Sequence, residues 1–129
     1  MIGLIACCGK KLDHPAPARD LYTSTLFKKS RAWVESRCER WFVLSAHYGL
    51  VDPSTVIAPY NQTLKPLNNA VWGKWVYEQL CVLGLHKERF FVLAGRRYIA
   101  PLQDLIQVAD VLRGMGIGER LAFLTPHAC

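Results

Sequence analysis

The chain opens on an unbroken apolar run, Ile2-Gly3-Leu4-Ile5-Ala6-Cys7. No polar position interrupts it, so it reads as a strand buried on both faces. Two later runs have the same character: 41–45, and "RFFVLAG" at 89–95. Between them the period changes. From Leu26 to Cys38 the apolar positions Leu26, Phe27, Trp33, Val34 and Cys38 recur at helical spacing, and Ser24 stands where a cap is needed. From Asn68 to Leu83 a longer helix is expected, with Trp72, Trp75, Val76, Leu80 and Leu83 on one face and Gly84 as its stop. A third helix is predicted over 98–114, where Ile99, Leu102, Leu105, Ile106, Ala109 and Leu112 repeat every three to four residues. "RLAFL" at 120–124 reads as a last short strand. The stretches 8–24 and 50–66 are polar and carry prolines, so they read as loops.

Strands alternating with helices predict an α/β fold. The expectation is a three-layer α/β/α sandwich with a small, mainly parallel four-stranded sheet, one domain over residues 1–129. Ligands of such sheets bind beyond the carboxyl ends of the strands. The first exit carries Cys7, Cys8, Lys10 and Lys11, and the second carries Ser45, His47 and Gly49. The third carries Gly95, Arg96, Arg97 and Tyr98, and the fourth "TPH" at 125–127. The first two exits should lie side by side. "FVLSAHYGLVDP" and "FVLAGRRYIAP" share a build: apolar strand, small residues, basic residues, Tyr, then Pro. Small residues there let backbone amides approach a ligand, or make room for an adjoining helix.

A net charge of +6 favours an anionic partner, nucleotide or nucleic acid, over a neutral one. The alternative is a basic surface without a ligand. Five cysteines with no C-x-x-C spacing read as free thiols, and no motif calls for a metal or a cofactor. No apolar stretch approaches the roughly 20 residues of a membrane span. "MIGLIACC" lacks the basic leader of a signal peptide, so a cytoplasmic protein is expected. Nothing in the pattern fixes the oligomeric state.

Cleaving an N-glycosidic bond takes a group that steadies an oxocarbenium ion or positions water, and a donor to the departing base. Asp20 and Asp52 are the candidate carboxylates, and His47 and Tyr60 the candidate donors. Arg19, Lys10 and Lys11 can hold a phosphate, and Tyr22 can flank the site. Ser45 can offer its hydroxyl to a base or sugar, while Gly49 is expected at positive φ. Each has a plainer reading. Asp-Pro is a common turn, and Asp20 can simply pair with Arg19. Tyr22 and Tyr60 can pack a loop, and His47 can brace one through a backbone carbonyl. Cys7 or Cys8, beside Lys10 and Lys11, is an alternative nucleophile, with His14 or His47 as its base.

"ACCGKK", "PARDLYTSTLFKKSRAW", "LSAHYGLVDPSTVIAPYNQTL" and "GRRY" together resemble an uncharacterised family of small bacterial and phage proteins. That family has a Cys-Ser-x-x-Lys-like start and a Ser-Ala-Lys-(His/Tyr)-Gly-Leu core. It is similar to the YaaA-like proteins and, distantly, to the uracil-DNA glycosylase fold. This chain departs from the pattern twice, with Cys8 in place of Ser and His47 in place of Lys. The glycosylase likeness implies the fold rather than the chemistry. "CCGKK" lacks the aspartate of those enzymes' first loop, although His127 does follow the last predicted strand.

Three functions follow as expectations. The first is processing of a nucleotide, nucleoside or nucleic-acid base, of N-glycosidase or transferase type. The second is nucleic-acid binding without catalysis, through a basic rim. The third is a protein-interaction module of phage or mobile-element origin.

Overall fold

The computed structural model describes residues 1–6, 9–65 and 69–124. In chain order the elements are β1 (Ile2–Ala6), β2 (Ala16–Pro17), the single turn α1 (Ala18–Leu21), α2 (Thr25–Arg37), β3 (Arg40–Ser45) and β4 (Gly49–Val51). Then come β5 (Val56–Ile57), α3 (Asn69–Val82), β6 (Arg89–Leu93), the single turn α4 (Arg96–Ile99), β7 (Gln107–Asp110) and α5 (Ile117–Leu124).

The three apolar runs form the middle of a five-stranded sheet of order β4-β3-β1-β6-β7. β1 lies parallel to both β3 and β6, and β6 lies parallel to β7. β4 returns antiparallel along β3. The register sets Ala6 beside Leu44 and Ile5 beside Leu93, so the exits of β1, β3 and β6 stand in a row. β2 and β5 form a separate two-stranded ribbon.

Alternation along the strands divides the core. Leu4, Phe42, Leu44, Phe90 and Val92 pack with Trp72, Val76 and Leu80 of α3. Ile5, Val43 and Leu93 pack with Phe27 and Val34 of α2 and Leu124 of α5. Helices therefore cover both faces, which is why the central strands carry no polar side. Ser24 caps α2 as expected, its Oγ accepting from Phe27 N at 3.2 Å. α3 ends at Val82, and Gly84 follows at φ +73°. No helix among the described residues is long and apolar enough to cross a membrane.

The expectation of four strands needs correcting. The fourth parallel strand is β7, and residues 120–124 belong to helix α5. A five-residue apolar run suits either element, and here it packs as a helix. The helix expected over 98–114 is absent: α4 stops at Ile99, two residues before Pro101, whose ring cannot continue a helix. Turns carry Leu102 and Ile106 into the core, and the chain then joins the sheet. β4 lies in a stretch read as loop. Trp75 on α3 and Leu83 just beyond its end do not join the core face; they are 40% and 44% exposed.

Candidate functional site

The site begins at the end of β3. Ser45 is fully buried, and its Oγ accepts from His47 N at 3.2 Å and Tyr48 N at 2.9 Å. Its hydroxyl oxygen thus folds the turn. Gly49 closes the turn at φ +74° and pairs back onto Ser45. A side chain there would be strained, and its Cβ would stand 2.5 Å from Gln79 Oε1. Leu50 N donates to that same oxygen at 2.8 Å, and Gln79 Nε2 donates to Leu50 O at 3.3 Å. Trp72 Nε1 donates to Ser45 O at 2.9 Å, and its ring meets Tyr98 edge-on at 5.4 Å. One indole thereby ties the β3 exit to the β6 exit.

His47 projects from this turn into solvent. Its Nδ1 lies 2.9 Å from Gln62 Oε1, while Gln62 Nε2 donates to Ala46 O at 3.4 Å. With the amide nitrogen on that carbonyl, the amide oxygen faces the ring. In the neutral imidazole this arrangement favours the tautomer with the proton on Nδ1 and Nε2 as the acceptor. The imidazole stacks on Tyr60 at 5.6 Å and 23°, and Tyr48 meets it edge-on. The hydroxyls of Tyr60 and Tyr22 are 2.7 Å apart. Lys11 Nζ sits 4.4 Å above the Tyr60 ring and 5.7 Å from that of Tyr22. Lys11, Tyr22, His47 and Tyr60, from four separate segments, thus form one layer.

At the ends of β1 and β6 lies a cavity of about 340 Å³, and none of those four side chains lines it. Ala6, Leu93 and Ala94 make its floor, Leu26 and Leu112 its apolar walls, and Arg96, Arg97 and Arg120 its cationic side. Gly95 and Tyr98 also line it. Gly95 has φ −74° and ψ 166°, which any residue adopts, and open space where a Cβ would stand. Backbone geometry does not call for a glycine there. Arg96 Nη1 donates to Gln103 Oε1 at 3.3 Å, and Arg120 Nε donates to Met115 O at 3.0 Å. Sequence reasoning missed Arg120 and the Thr63–Leu64 wall. The first lay in a segment read as a strand, and the second in a loop with no signal beyond its one apolar residue.

The remaining candidates stand elsewhere or are already engaged. Asp20 pairs with Arg31 at 3.2 Å and with Arg19 Nε at 3.6 Å. Arg31 also donates to Arg19 O at 3.0 Å. Asp52 Oδ1 accepts from Ser54 N at 2.9 Å and Ser54 Oγ at 2.6 Å. These bonds hold the Asp52 carboxyl below the usual carboxylate range. Neither carboxylate lines the cavity. Lys10 is exposed, and its carbonyl accepts from Thr23 N at 2.9 Å. Cys7, Cys8 and residues 125–127, His127 among them, lie outside the described residues. Among the described residues no three His, Cys, Asp or Glu side chains are grouped so as to hold a metal ion.

No curated protein and no solved structure matches the chain. A family model matches it over residues 2–126. The chain that builds this row of strand exits therefore belongs to DUF6884, a family of unknown function.

Proposed function

We propose that the protein binds and processes a nucleobase-bearing anion, either a nucleotide or a base of a nucleic acid, by N-glycosidase or transferase chemistry. The observation that carries this reading is the cavity at the strand ends, apolar in its floor and flanked by Arg96, Arg97 and Arg120. An apolar slot with a few polar groups suits a flat base, and guanidinium groups suit a phosphate. His47 Nε2 is oriented by Gln62 to accept a proton from an attacking hydroxyl or water. Tyr60, paired with Tyr22 and lying beneath Lys11, is the donor to the departing base. Asp20 and Asp52 enter this scheme only by leaving Arg31 and Ser54, so the chemistry leans on His47 and Tyr60. We read the fold as a three-layer sandwich of the YaaA-like kind, distantly like the uracil-DNA glycosylases. Helices on both faces of the sheet support that reading. Nucleic-acid binding without turnover is the second reading, favoured by the engagement of both carboxylates.

Gly95→Phe tests the cavity directly. The open space at Gly95 accepts a side chain without backbone strain, so stability should stay within about 0.5 kcal/mol of wild type. The ring would fill the slot, and calorimetric titration with nucleoside 5′-monophosphates should show at least a tenfold loss of affinity. Wild-type affinity in the folded variant, or no monophosphate binding by the wild type, would refute the site. Chromatography for released base then separates turnover from binding alone.

A further inference from the structure

A second cavity reaches His47 from the other side of the Thr63–Leu64 wall. It too is about 340 Å³, and Thr63 and Leu64 line both. Its other walls include His47, Lys65, Trp72 and Trp75. We propose that this second cavity seats the base adjoining the one in the first, so that the substrate is single-stranded nucleic acid and not a free nucleotide. The inference rests on the proposed function and specifies its substrate.

Three observations carry it. Trp75 is 40% exposed and Val71, one helical turn earlier, is 76% exposed, although neither is needed by the core face of α3. The Trp75 ring lies close to the β3–β4 turn: a Cβ on Gly49 would stand 3.1 Å from it. An indole lying against the turn on one side and exposed on the other offers a stacking face. The charge is of one sign. Lys65 lines the second cavity, three arginines line the first, and no Asp or Glu lines either among the described residues. A cleft near β7, lined by Arg96 and Arg113, includes Asp110 and lacks this uniformity. Finally, the two cavities share a wall of two residues. A mononucleotide fills one of them. Filling both takes two bases splayed apart on a common backbone, the form in which single strands are read.

The test is a length series on the wild-type protein, comparing nucleoside monophosphates, dinucleotides and mixed-sequence hexamers, as DNA and as RNA. Stacking of one further base should make the dinucleotide and hexamer bind about 5- to 150-fold more tightly than the monophosphate in at least one of the two chemistries. Trp75→Ala should remove that gain and leave monophosphate affinity unchanged, whereas Trp75→Phe, which keeps a ring, should retain most of it. Equal affinity for monophosphate and hexamer, or a gain that survives Trp75→Ala, overturns the inference and leaves the first cavity intact. A duplex that binds as tightly as the single strand also overturns it. If neither monophosphate nor oligonucleotide binds, the proposed function itself falls.

Discussion

Replacing Lys10, Lys11, Arg96 and Arg97 together by alanine is expected to abolish binding of nucleotides and single strands while leaving the melting temperature nearly unchanged. The two halves have separate causes. Lys10, Arg96 and Arg97 are exposed, and exposed charges contribute little to stability. Lys11 loses its place over Tyr60, but a half-exposed cation–π contact is worth only about 1 kcal/mol. On the binding side, each phosphate neutralised on a single strand adds about −0.7 to the slope of log K against log salt. Four such contacts predict roughly a 50-fold loss between 50 and 200 mM salt for the wild type, and a much shallower response for the variant, which keeps only Arg120 and Lys65 at the cavities. Anisotropy titrations with a labelled hexamer across that range read both. Undiminished binding by a folded quadruple variant would remove this rim from consideration as the anion site.

Trp72→Ala should be the most damaging single change outside the strands. It removes a buried indole from the α3 face of the core, a loss of about 3–5 kcal/mol, and for a chain of this size a drop on the order of 10–20 °C in melting temperature. Trp72→Phe separates packing from hydrogen bonding. It keeps most of the ring but leaves the Ser45 carbonyl without its indole donor, at a cost of about 1–3 kcal/mol. Urea unfolding measures both. A Phe variant as stable as wild type would show that the Trp72–Ser45 bond does not hold the β3 exit in place.

What the sequence made legible, and what it hid, follows from how strongly each segment is committed. "IGLIA", "WFVL" and "FFVL" are buried on both faces, so their apolar character is continuous and they announce themselves as strands. α2 and α3 are long enough for helical spacing to accumulate, and Ser24 and Gly84 mark a start and a stop. β7 is an edge strand of four residues, none of them fully buried, so "QVAD" carries almost no pattern. Its neighbours Leu102, Ile106 and Leu112 fell at helical spacing by way of turns, and Pro101 was the signal that should have been weighed against it. Of the candidate site, the sequence made legible one cluster of side chains but not the cavity at the ends of β1 and β6, which none of them lines. Lys11, Tyr22, His47 and Tyr60 do converge. Which polar groups are already committed was not legible. The engagement of Ser45 by two amides, of Asp52 by Ser54 and of Asp20 by Arg31 depends on local turns and on pairings many residues apart. Nor did periodicity separate Trp75 from Trp72, since a shift of less than one turn decides which indole faces the core.

Gln79 has a meaning beyond its contacts with one backbone residue. β4 is the outermost strand on its side of the sheet, and Leu50 turns its N–H and C=O away from β3. An open strand edge is a template on which another chain can lay itself down. A primary amide carries one oxygen and one N–H in nearly the arrangement of a peptide group, so the helix answers the template from inside with a counterfeit of the next strand. On this side the sheet is closed at Leu50 by its own sequence, and copies of the protein crowded together find no ladder to extend there.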